Sequence, residues 1–114
     1  MLDVKGSINN LTDTVEKHFQ SIKSQQPFER IWAVQFELAY TDFRVIQMAL
    51  QMAGDNHHAL LVQFTSDYHA VYNYEVAYAI GGLAGFNQQF GDKIEQYQAA
   101  KDQLIATIKK ISSI

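Results

Sequence analysis

Cysteine is absent from this chain of 114 residues, which excludes disulfide scaffolds, thiolate zinc sites, cysteine nucleophiles and covalently attached haem together. Charge is scarce as well. Nine Lys or Arg and twelve Asp or Glu make up 18% of the residues, against about 25% in ordinary soluble domains. The net charge is -3, and the cations are scattered, with only Lys109 and Lys110 adjacent. No basic face forms, so nucleic-acid binding is not expected, because releasing counterions from phosphates takes a concentrated positive patch. Long apolar runs are missing too. The most apolar stretch, Val76 to Phe86, has 11 residues, where a bilayer span needs about 20. The first 26 residues carry Asp3, Asp13 and Glu16 and no continuous apolar segment, which argues against an export signal and makes a cytoplasmic protein the expectation. Leaderless secretion would leave no such mark.

Catalytic and nucleotide signatures are also lacking. There is no Gly-x-x-x-x-Gly-Lys, Gly-x-Gly-x-x-Gly or Gly-x-Ser-x-Gly, so neither a phosphate cradle nor a nucleophile elbow is predicted. A di-iron bundle needs Glu-x-x-His on two helices. None of Glu16, Glu29, Glu37, Glu75 and Glu95 has a histidine three residues on. The expectation is a non-enzymatic chain without a resident cofactor or metal.

What the chain does have is apolar periodicity. Hydrophobic residues are 47% of the composition, and the single proline, Pro27, together with Gly6, Gly54 and Gly91 divides the chain into four segments. All four repeat apolar residues at spacings of three and four, the helical period. The reading is all-α: one domain over residues 1–114, a four-helix bundle running up-down-up-down with two long central helices. Val4, Ile8, Leu11, Val15, Phe19 and Ile22 give the first helix one stripe, with Ser7 as its expected N-cap. The second, expected over Pro27 to Ala53, carries two stripes. One is Phe28, Trp32, Phe36, Ala39, Phe43, Ile46, Leu50 and Ala53, and the other is Ile31, Val34, Leu38, Val45, Ala49 and Met52. Gly54 is its predicted stop. The third, from Asn56 to about Phe90, is also apolar on two lines, with a kink expected near Gly81-Gly82 or Gly85. The alternative is a small-residue track of Ala77, Gly81 and Gly85. The fourth spans Asp92 to about Ile111, with Lys101 interrupting its stripe.

Two groups of residues invite function. Tyr68, His69, Tyr72 and Tyr78 cluster in the third helix, where a histidine among aromatics could ligate a haem or line a small-molecule site, although a hydrogen-bonded core histidine uses the same letters. His18 reads as a boundary residue. Asp42, Asp67 and Glu75 fall at or beside apolar stripes, and a buried acid wants a partner; Arg30 and Arg44 are the only arginines to hand. Asp67 with Asp42 would make the one carboxylate pair across the central hairpin. Aromatics form the larger group. They are 12% of the chain and concentrate between Phe28 and Phe86, where residues 27–53 and 55–90 carry only eight charges in 63 positions. Tyrosine and tryptophan suit surfaces dry on one side and wet on the other. The leading expectation is therefore protein association, as a homodimer or with a dedicated helical partner of the immunity or export-helper kind. Its surface is expected to hold Trp32, Phe36, Tyr40, Phe43, Phe64, Tyr74 and Phe86. The alternative is a haem- or small-molecule-binding bundle built on His69, Tyr68, Tyr72 and Tyr78.

Overall fold

A computed structural model describes residues 4–114. Four helices make up almost all of it: α1 (Lys5–Lys23), α2 (Arg30–Met52), α3 (His58–Phe90) and α4 (Ile94–Ser112). A single 3-10 turn, Asp55–His57, precedes α3. The described chain is an all-α four-helix bundle. Each helix packs against its neighbours in sequence, and α1 closes the ring on α4, so that α2 and α4 stand on opposite corners and do not meet.

α1 buries Leu11, Val15, Phe19 and Ile22, the stripe its spacing predicts. It begins two residues before Ser7, which is therefore not its N-cap; Val4 holds that position with no side-chain hydrogen bond. Its end needs a left-handed residue, and Gln25 supplies one at φ 59°. Gln26 N–H then reaches back to the Ser21 carbonyl at 2.9 Å and satisfies an otherwise unpaired helix-end acceptor. The Gln25 side chain offsets the strain by accepting from Asn87 Nδ2 of α3 at 2.9 Å.

α2 starts at Arg30, not at Pro27, because residues 26–29 have other work. Phe28 packs edge-on against Tyr78, with ring centroids 5.1 Å apart, and Tyr78 Oη donates to the Gln26 carbonyl at 2.8 Å. That holds the segment extended, with Glu29 in a β conformation at the N-cap. Gly54 ends the helix at φ 98°, in the left-handed region that glycine enters without cost.

α3 consists of two helical stretches that meet at a kink. Gly82 sits at φ 66°, ψ -165°, a region essentially closed to side-chain-bearing residues. The kink expectation therefore holds at Gly82. α4 starts after Lys93, so Asp92 lies outside it; Glu95 in the first turn and Lys109 and Lys110 in the last suit the helix dipole. Leu11, Phe43, Ile46, Phe64, Val71 and Leu104 meet in one core drawn from all four helices.

Candidate functional site on the outer face of the second helix

The two stripes of α2 have different fates. Ala39, Phe43, Ile46 and Leu50 are buried. On the opposite side Ile31, Val34, Leu38, Val45, Met48 and Met52 are 40 to 85% exposed. With the exposed Thr41 between them, these positions advance by three and four residues in strict alternation over the whole helix. That is the spacing of a coiled-coil seam, which repeats every seven residues and keeps one edge of a helix toward a partner helix. Among the described residues no helix lies over the seam. Glu37 and Arg44, seven residues apart and both exposed, flank it on one side, and Gln35, Asp42 and Ala49 flank it on the other.

Of the seven aromatics expected at the interaction surface, three are buried, three half-buried and one exposed. Phe43, Phe64 and Phe86 are interior. Phe43 stacks on Tyr68 with ring centroids 4.0 Å apart and planes 8° off parallel, and it meets Phe64 at 5.2 Å. Phe86 and Tyr74 close around Tyr97, Tyr74 stacked at 4.7 Å. Trp32 and Phe36 are half-buried over His18. Tyr40 alone of the seven is exposed. Large rings gain most by burial and by edge and offset contacts with each other, so they fill the bundle and leave the aliphatic side chains of α2 outside.

The rings of Tyr68, His69 and Tyr72 lie within 6.4 Å of one another, and Tyr78 stands apart from them. His69 is exposed, and its Nδ1 lies 2.9 Å from the Thr65 carbonyl one turn back. Tyr68 is buried against Phe43, and Tyr72 lies against Phe36 at 5.3 Å. Tyr78 is buried two turns further along α3 and spends its hydroxyl on Gln26. Burial, then the charge of Glu75, lifts the Tyr68 phenol well above its ordinary range. It therefore stays a neutral hydroxyl.

A second polar feature lies inside. His18 Nδ1 of α1 is hydrogen-bonded to Glu75 Oε2 of α3, both side chains almost fully buried. His18 Nε2 and Tyr97 Oη are buried without partners. Neither arginine expected as a partner for Glu75 reaches it: Arg30 and Arg44 are both exposed. The partner is the histidine that looked like a boundary residue. Glu75 also helps push the Tyr97 phenol well above its ordinary value, after burial itself.

The other acids are settled locally. Asp67, buried, accepts from Thr107 Oγ1 at 2.5 Å, with Gln63 and Gln103 further out at 3.3 and 3.4 Å. Asp42 faces α1, where burial raises its carboxyl and the nearby Ser7 hydroxyl opposes the rise. The two carboxylates therefore serve different helix pairs. Lys101 is buried over the Phe19 ring at 4.8 Å and paired with Glu16 at 3.2 Å and Asp102 at 3.0 Å. Burial favours its neutral form, but the hydrogen bonds to Asp102 and Glu16 outweigh it and raise the ammonium above the ordinary lysine value.

Among the described residues no group of three or more His, Asp or Glu stands close enough to hold a metal ion, and no helix is long and apolar enough to cross a membrane. A groove of about 890 Å³ opens beside the Gly82 kink, lined by Tyr74, Ala77, Ile80, Gly85 and Phe90 among others. It is mostly apolar and brings no titratable cluster together. No family model, curated protein or solved structure matches the chain.

Proposed function

We propose that the chain works by protein association, through the outer face of α2, and performs no chemistry of its own. The observation that carries this is the uncovered seam: six apolar side chains, 40 to 85% exposed, in seven-residue register on one edge of one helix. Scattered surface hydrophobics are normal, but a contiguous apolar patch rimmed by polar residues marks an interaction site. A helix reads such a patch through anchors at i, i+3, i+4 and i+7. The partner is a helix, from another copy of this chain or from a dedicated heteropartner.

The test uses the tagged full chain and its Leu38→Glu variant. Wild type is expected to be recovered at fixed stoichiometry with a partner, itself or another chain, and the variant to lose that partner with an unchanged circular dichroism spectrum. A wild-type chain that sediments as a monomer at high micromolar concentration and retains no partner that Leu38→Glu loses would end the reading.

A further inference from the structure

We infer that the partner of the α2 seam is a second copy of the same helix, laid antiparallel. The inference rests on the association reading above and adds to it the identity and direction of the partner.

Three observations support it. First, the seam is self-complementary in kind. Ile31, Val34, Leu38, Val45, Met48 and Met52 are all aliphatic or thioether side chains, with Thr41 as the only polar position, so the same patch can be both knob and hole across a twofold axis. Second, the area suffices. Counting about 100 Å² for each such side chain, six of them present on the order of 600 Å², and the flanking stems of Glu37 and Arg44 bring the face near the roughly 800 Å² per partner of a stable interface.

Third, the flanking charges choose the direction. Glu37 and Arg44 lie on the same flank, one heptad apart, on either side of the helix midpoint at Thr41. In an antiparallel pair that flank faces its own copy in reverse, so each Glu37 meets an Arg44, twice. Asp42, on the other flank, meets its own copy once across the axis. In a parallel, in-register pair each flank faces the opposite one. Glu37 would then meet Asp42 of the other copy, twice, and Arg44 would meet Ala49. Like charges across a seam oppose pairing and opposite charges favour it. The antiparallel arrangement has two attractive contacts against one repulsive; the parallel one has two repulsive contacts and none attractive.

Sedimentation of the full chain tests existence, and charge reversal tests direction. Wild type is expected to form a dimer. Glu37→Arg alone sets arginine against Arg44, and Arg44→Glu alone sets glutamate against Glu37; each is expected to raise the dissociation constant about tenfold, and the double variant Glu37→Arg/Arg44→Glu to recover most of that loss. A parallel dimer predicts the reverse for Glu37→Arg, which would meet Asp42 and tighten. Because the chain has no cysteine, Ile31→Cys and Met52→Cys give a second readout. Positions at opposite ends of the seam should disulfide-link to each other in a mixture and not to themselves. Self-linking of each variant, or tightening by Glu37→Arg, overturns the antiparallel assignment. A monomeric wild type overturns the dimer altogether, and if that monomer still holds another protein in a Leu38-dependent way, the association reading survives without it.

Discussion

The inner and outer faces of α2 are built from comparable numbers of apolar residues, yet the bundle uses only one of them. On the inner face, rings dominate: Trp32, Phe36 and Phe43 reach across to His18, Tyr72 and Tyr68. On the outer face, Thr41 apart, there are only aliphatic and thioether side chains in heptad order. Area alone would not separate them. Ring contacts add specific edge and stacking geometry to the burial they share with aliphatics, and the corner position of α2, away from α4, leaves one of its sides without a helix. A side chain's hydrophobicity therefore says that it wants cover, and the register says what kind.

The comparison breaks first at the inner face. Phe43→Ala removes a ring that is almost wholly buried between Tyr68 and Phe64, and it should cost about 3 to 5 kcal/mol, read as a lowered urea midpoint. The polar pair behind that face should follow. His18→Leu and Glu75→Leu each leave one buried polar group without its partner and are expected to cost about 3 kcal/mol apiece. The double variant replaces both and should return to within about 1 kcal/mol of wild type. Additive losses in that double-mutant cycle would show that the two side chains do not act as a pair.

Much of this architecture can be read from the letters. The helix count, the breaks at Gly54 and Gly82 and the interior stripes of α1 and α2 follow from periodicity and from glycine's conformational freedom. Boundaries drifted where tertiary contacts intervened: Pro27 looks like a first-turn residue, but Phe28 and Gln26 are engaged by Tyr78. The candidate surface was half legible. Five of its six residues stand in the second stripe, which takes Ala49 where the exposed seam has Met48, and residue type points to the aromatics instead. The His18–Glu75 pair was not legible at all. Those residues are 57 apart in sequence, and nothing local in either helix names the other.

Smaller effects sharpen the picture at the kink and at Lys101. Gly82→Ala places a side chain where φ is 66° and ψ is -165°, and should cost about 2 kcal/mol. Its neighbour Gly81 is helical with open space where a Cβ would go, so Gly81→Ala should be neutral or stabilising by up to about 1 kcal/mol. Equal responses at the two glycines would remove the kink as a requirement of the fold. Lys101 sets an alkaline limit. Its folded value is raised by Asp102 and Glu16 despite burial, so its stabilisation is complete below the ordinary lysine value near 10.4 and is lost as pH climbs through the folded one. Denaturation midpoints measured upward from pH 9 should therefore fall more steeply for wild type than for Lys101→Met. The buried tyrosines also lose stability there, but equally in both proteins. Parallel curves would count against the ion pair.

The smallest effect on the fold belongs to the outer face, and that smallness is what distinguishes it. Leu38→Lys exchanges one good helix former for another at an exposed position, so in dilute solution, where the chain is monomeric, its unfolding free energy should stay within about 0.5 kcal/mol of wild type. At high concentration wild type should gain stability, because a dimer that forms only from folded chains draws the equilibrium toward the folded state. The variant should gain none. Thermal midpoints measured over a hundredfold dilution series give both comparisons at once: a concentration-dependent wild type beside a flat Leu38→Lys places the work of that face outside the fold. If Leu38→Lys instead lowers the midpoint equally at every concentration, the seam belongs to the core after all, and α2 has only one kind of face.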